Sequence, residues 1–213
     1  MHSSDIPMKL KILIATHNTA KFKEISAFFD GKSIGIFSLT DVGIDIEVEE
    51  EGTTFKENAV LKATKYCELS GLTTLADDSG LEVEALGGKP GIHSARYAGP
   101  LATDEDRIDL LTSTLNQIGR RNFQAKFKCV VAVARPNGAL LISEGECEGL
   151  IIRKPRGSNG FGYDPIFLIP ELGRTMAELD RDEKNIVSHR AIACRKIVSK
   201  LAEKDTESFE FDN

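Results

Sequence analysis

Nothing in this chain equips it for a lipid bilayer, a disulfide scaffold or the backbone of a nucleic acid. No apolar run approaches the length of a membrane span. The opening Met1-His2-Ser3-Ser4-Asp5-Ile6-Pro7 lacks the basic-then-apolar profile of a secretion signal. The four cysteines, Cys67, Cys129, Cys147 and Cys194, are widely spaced with no CxxC pair. That favours small buried thiols in a reducing cytosol over disulfides or a metal cluster. The net charge of -6 comes without a basic stripe, so the broad positive field of non-specific nucleic-acid binding is missing. Basic groups that meet a polyphosphate must therefore be gathered locally. A GxxxxGK[ST] phosphate loop is absent, and no Ser-His-Asp or Cys-His arrangement argues for a covalent nucleophile. Repeats, low-complexity tracts and clean linkers are lacking too. A single cytoplasmic domain over 1–213 is expected, with an N-terminal extension at 1–9 and a frayed acidic tail at 203–213.

What is present is an ordinary globular composition, 41% hydrophobic and 28% charged, carried on a repeated strand-then-helix order. Leu10-Lys11-Ile12-Leu13-Ile14-Ala15 reads as a buried strand entering a helix through Lys21, Glu24, Ile25 and Phe29. Segment 34–48 mixes apolar and acidic residues, as a second strand plus a loop. Thr54 and Glu57 form a capping box for a helix through Ala59, Ala63 and Cys67 that stops near Gly71. Leu72-Thr73-Thr74-Leu75-Ala76 is predicted as a short strand ending on Asp77 and Asp78. Thr103 with Asp106 opens another helix, through Ile108, Leu111, Leu115 and Ile118. The clearest strand is Phe127 to Ala134, and Pro136-Asn137-Gly138 predicts a hairpin returning from Ala139 to Ser143. Ser188 caps a last helix with Ile192, Cys194, Ile197, Val198 and Leu201 on its apolar face. This order predicts an α/β core with its site at the carboxyl ends of the strands.

Several stretches carry chemistry. Thr16-His17-Asn18-Thr19-Ala20-Lys21 sets small polar groups and a lysine at a strand-to-helix turn. Free N–H groups and the positive helix end make such a turn an anion cradle, although the same residues suit an ordinary N-cap with a surface lysine. Asp77-Asp78-Ser79-Gly80 places two carboxylates side by side. Strand alternation sends them to opposite sides, so one can face a metal while the other braces the loop; a plain turn is the alternative. The acidic run Glu47, Glu49, Glu50, Glu51 can add a carboxylate for Mg²⁺ or form a solvated face. Asn58 and Lys62 share a helix face, and Lys62 interrupts an apolar run, with its ammonium either in a cleft or on the surface. Phe161-Gly162-Tyr163-Asp164 offers a ring for base stacking and an acceptor for a purine N–H, or else plugs the core. Ser188-His189-Arg190 adds a positive cluster at a helix start, in which the Arg190 fork can donate to a carbonyl or a phosphate, or else forms a capped surface helix.

These motifs occur together and in order: Thr16, Asn18 and Lys21; Thr54-Phe55-Lys56-Glu57-Asn58-Ala59 with Lys62; Ala76 to Leu81; Pro90 to Tyr97; Gly160 to Phe167; and Ser188-His189-Arg190. From about Lys11 to Ala202 the chain resembles the inosine triphosphate pyrophosphatase family. The resemblance implies an elongated, two-lobed α/β fold with a central mixed β-sheet flanked by helices, an active-site cleft between the lobes, and a homodimer. It implies Mg²⁺-dependent hydrolysis of ITP, dITP and XTP to the monophosphate and pyrophosphate. It further implies phosphate binding by Thr16, His17, Asn18, Thr19, Ala20 and Lys21, the last also catalytic. Substrate contacts fall to Lys62, Ser79, Phe161, Gly162, Tyr163, Asp164, Lys184, His189 and Arg190. Glu50 and Asp78 are the implied metal carboxylates, and Asp78 the implied proton acceptor. His17 stands where the family has a small residue. A pyrophosphatase for another modified nucleotide class, or a non-catalytic nucleotide-binding regulator, is the alternative.

Overall fold

The aliphatic run Leu10–Ile14 (β1) lies inside a seven-stranded mixed sheet. The computed structural model describes residues 10–119 and 122–207. Ile34–Ser38 (β2) and Thr73–Val83 (β3) flank β1 in parallel. Phe123–Ala134 (β4), Leu140–Ile151 (β5), Phe167–Ile169 (β6) and Arg174–Thr175 (β7) continue antiparallel, giving the order β2-β1-β3-β4-β5-β6-β7. Helices cover both faces, as the α/β expectation requires.

Strand alternation sorts the core. Ile12, Ile14, Leu75 and Val131 point to one face and pack on Ile25 of Thr19–Ser26 (α1) and on Ala193, Ile197 and Leu201 of His189–Glu207 (α5). Leu13, Ala76, Val130 and Ala132 point to the other and pack on Ala59, Ala63 and Tyr66 of Phe55–Ser70 (α2). Farther along the sheet, Leu81, Val83 and Phe127 join Leu111 and Leu115 of Asp104–Asn116 (α3). A Cβ at Gly145 would run into the backbone of α5, so glycine there lets that helix lie directly on β5. The helix Arg181–Val187 (α4) precedes α5 and ends on Ser188.

Both predicted capping boxes form, and the Pro136-Asn137-Gly138 hairpin closes with Arg135 N–H on the Ala139 carbonyl at 2.9 Å. All four cysteines are buried and free. The strand expected to end on Asp77 and Asp78 does not end there. It runs through Ser79 and Gly80 to Val83, with Asp77 opposite Val131 and Asp78 opposite Val130. The long partner β4 supplies a continuous ladder that overrides the poor strand propensity of Asp, Ser and Gly. For the same reason β4 starts earlier and β5 ends later than the hairpin signal indicated. The charged stretch around Lys184 is helical, as α4, because Asp180 and Glu183 cap it reciprocally. The last helix continues to Glu207, into the expected frayed tail. The 1–9 extension and the rest of the tail lie outside the described residues. Among those residues no helix is long and apolar enough to cross a membrane.

Candidate active site across the central strand

Because β3 remains extended through the aspartate pair, its two carboxylates face opposite helical layers. Asp77 points to α1 and α5. Its Oδ2 accepts from Arg190 Nε and Ser79 Oγ, each at 3.2 Å, and lies 3.3 Å from Lys21 Nζ. Burial works against its charge, but Lys21 and Arg190 hold its pKa well below the usual carboxylate value. Asp78 points to α2. Its Oδ2 accepts from Asn58 Nδ2 at 3.1 Å, and its Oδ1 accepts the Ser79 N–H at 3.0 Å and lies 3.8 Å from Lys62 Nζ. Burial pushes its pKa up to about 6; Glu50 adds to the shift and Lys62 opposes it.

Glu50 reaches the same ammonium, with Oε1 2.5 Å from Lys62 Nζ and Oε2 3.0 Å from Arg96 Nη2. Burial opposes its charge, yet Lys62 and Arg96 keep its pKa low. Glu50 and Asp78 thus converge on one position that the Lys62 ammonium fills. Hard carboxylate oxygens around a single cation position fit Mg²⁺, which takes its remaining ligands from water and phosphate. Among the described residues no group of three or more His, Cys, Asp and Glu side chains forms a metal cage.

On the other side of β3, Asn18 caps α1, and its Oδ1 accepts from Ala20 N–H at 2.9 Å and Lys21 N–H at 3.0 Å. Thr16 Oγ1 accepts the Asn18 N–H at 3.1 Å. The turn expected to present free amides therefore satisfies several of them internally. His17 turns toward the loop before α2, with Nε2 3.2 Å from the Ile46 carbonyl oxygen and 3.3 Å from the Tyr66 hydroxyl.

A cavity of about 250 Å³ lies beside this turn, lined among others by Asn18, Lys21, Ser79, Phe161, Lys184 and Arg190. Gly162, Tyr163, Asp164 and His189 line it as well, whereas Thr16, His17, Thr19 and Ala20 of the turn, and Glu50, Lys62 and Asp78 on the α2 side of the sheet, do not. The cations sit 5.0 Å (Lys184) and 5.4 Å (Arg190) from the Phe161 ring centroid. Lys184 also meets Asp164 at 2.6 Å and Glu24 at 2.7 Å. Arg190, only 2% exposed, donates from Nη1 to Glu24 at 2.5 Å and from Nη2 to Ser79 at 2.7 Å, besides Nε to Asp77. Its fork is thus already engaged within the protein. Tyr163 is buried and its hydroxyl donates to the Ser94 carbonyl at 3.0 Å, so it serves the core as well as the cavity wall.

The chain as a whole has counterparts among known proteins. Residues 12–200 match the model of the Ham1 family. The chain belongs to the Ham1 family. It is 48% identical over 192 residues to the dITP/XTP pyrophosphatase of Exiguobacterium sp. (strain ATCC BAA-1283 / AT1b), covering 90% of this chain and 97% of that one. It is 44% identical to the dITP/XTP pyrophosphatase of Bacillus subtilis (strain 168), covering 90% and 96%. The solved HAM1 protein from Coxiella burnetii superposes with a TM-score of 0.84 at 43% identity, covering 91% of this chain and 99% of that one.

Within this Ham1 chain, three residues that sequence reasoning did not single out complete the site. Glu24 joins Lys184 to Arg190, Arg96 holds Glu50, and Asp104 meets the Phe161 loop. Glu24 had a usable signal in following Lys21 at the spacing that shares a helix face, and Arg96 in lying within the Pro90–Tyr97 motif.

Proposed function

We propose that this chain hydrolyses ITP, dITP and XTP to the nucleoside monophosphate and pyrophosphate. The supporting observation is Asp78: a buried carboxylate with a pKa raised to about 6, beside Glu50 and Lys62 and one sheet residue from the Ser79 wall of the cavity. Such a group is ionised at neutral pH yet basic enough to accept a proton. The names of the relatives, dITP/XTP pyrophosphatase, agree with that chemistry.

Glu50 and Asp78 are the residues that would hold Mg²⁺. When bound, the ion supplies charge neutralisation and polarisation at the phosphate oxygens. Asn58 and the Ser79 N–H fix the Asp78 carboxylate, so it can orient a water and take its proton. The water oxygen forms a bond to the α-phosphorus as the bond to the bridging oxygen breaks, and pyrophosphate carries away the electron pair. Lys21 and Lys62 offset charge on the phosphate oxygens. Asp77, pinned by Arg190, keeps Lys21 on the cavity wall. Phe161 stacks on the base, with Lys184, His189 and Arg190 around it. The protein acts as one domain and as a homodimer, which light scattering would register as twice the 23.3 kDa chain.

Product analysis decides this reading. A nucleotide panel with Mg²⁺ should convert ITP and XTP to monophosphate plus pyrophosphate with no accumulating diphosphate. Release of orthophosphate with accumulation of IDP would place attack at the γ-phosphorus and overturn it. Faster turnover of modified pyrimidine triphosphates would assign the cleft to another nucleotide class.

A further inference from the structure

The loop that carries Phe161 is held from two sides. On its inner side Asp164 Oδ2 accepts the Phe161 N–H at 3.0 Å and the Lys184 ammonium at 2.6 Å. On its outer side the next amide, Gly162 N–H, donates to Asp104 Oδ2 at 2.6 Å. Asp104 opens α3, 58 residues away in sequence, and the helix cap does not require its carboxylate. The helix start is already satisfied by Thr103 and Asp106: the Thr103 N–H and hydroxyl donate to Asp106 Oδ2 at 2.8 and 2.7 Å, and Asp106 N–H donates to Thr103 Oγ1 at 3.1 Å. Asp104 is therefore spare as a cap.

Its orientation is set by Arg107. That side chain donates from Nη1 to Asp104 Oδ1 and from Nη2 to the Ala102 carbonyl at 2.6 Å. Both Asp104 and Arg107 line the same cavity as Phe161. Gly162 adopts φ +62°, a left-handed conformation that side chains disfavour. Glycine at 162 lets the backbone turn its amide outward, toward Asp104.

We propose that Asp104, aimed by Arg107, is a positioning residue that fixes the Phe161 ring for the base of a bound nucleoside triphosphate. This rests on the functional proposal above for the identity of the ligand, though the tie itself does not. Without the tie, the ring must be ordered on binding, and that cost falls on affinity rather than on the chemical step. Asp104→Ala should therefore raise KM for ITP about tenfold, within the range a stacked base is worth, while kcat stays within about threefold. Inorganic tripolyphosphate has no base, so its inhibition constant should not move. Asp104→Asn keeps an acceptor oxygen and should recover most of the KM.

A second measurement needs no substrate. The chain has no tryptophan, so Phe161→Trp installs a single reporter on the loop. Acrylamide quenching of Trp fluorescence should increase when Asp104→Ala is added and stay near its starting value with Asp104→Asn. Should Asp104→Ala fail to fold, Arg107→Met leaves the capping box intact and should shift both readouts in the same direction by a smaller amount. Unchanged KM and quenching would overturn the proposal, as would a parallel rise in the tripolyphosphate constant. Absence of turnover by the unmodified protein would defeat the functional proposal alone, because quenching still tests the tie.

Discussion

Asp77 and Asp78 are consecutive in the chain but bond to helices on opposite faces of the sheet. Asp77 accepts from Arg190 of α5 at 3.2 Å, and Asp78 accepts from Asn58 of α2 at 3.1 Å. One strand thus divides two tasks. Asp77 is the counter-charge that allows Arg190 and Lys21 to sit in the site, and Asp78 is held with its basicity raised.

Substitution should separate those tasks. Asp78→Asn loses one acceptor but also removes a charge that burial disfavours, so the melting temperature should change little while turnover falls by at least ~10²-fold. Asp77→Asn should instead lower stability by roughly 3 kcal/mol, because it leaves buried cations short of a negative partner. Denaturant melts and pyrophosphate release on both proteins check the contrast. Near-normal turnover by Asp78→Asn would remove it from the chemistry.

The proposed metal dependence rests on Glu50 and Asp78 meeting at one cation position. EDTA should abolish hydrolysis and Mg²⁺ should restore it. Glu50→Gln should require a higher Mg²⁺ concentration for half-maximal rate, and calorimetry should register the weaker binding directly. Full activity in EDTA would rule out the metal assignment.

Stacking is tolerant of base identity. Phe161→Ala should raise KM for ITP and ATP alike, by about tenfold, as expected for one lost base contact of ~1–3 kcal/mol. A change confined to ITP would mean that the ring selects the base and does more than support it.

His189 predicts a pH dependence. Its imidazole is 4% exposed and stacks on Phe127 with ring centroids 4.7 Å apart. Burial, with Arg190 and Lys184 nearby, pushes its pKa well below the usual histidine value. The unfolded chain therefore binds a proton that the folded chain refuses. This contribution is fully present above the unfolded pKa of about 6.5 and is lost as pH falls below it, by up to about 1.4 kcal/mol per unit. His189→Phe keeps a ring against Phe127 and should flatten the decline in stability between pH 7 and 5. Parallel stability profiles for the two proteins would show that His189 is not the titrating group.

Local signals in the sequence determined the parts of this fold that short-range physics controls. The Thr54–Glu57 and Thr103–Asp106 caps, the turn at Asn137-Gly138, the buried β1 and the opposite facing of Asp77 and Asp78 all depend on contacts or periodicities within a few residues. The family resemblance likewise points to Lys21, Lys184 and Arg190 without their partners. Tertiary structure alone decided which groups satisfy them. The polar Asp77-Asp78-Ser79-Gly80 became the middle of a long strand because β4 pairs with every residue of it. Glu24 became the shared acceptor of Lys184 and Arg190, the latter 166 residues away, and Arg96 became the partner of Glu50 across 46. Charged and polar side chains leave no periodic trace of distant partners. Their pairing is set by where the packed sheet faces bring the helices, and only the folded chain specifies that.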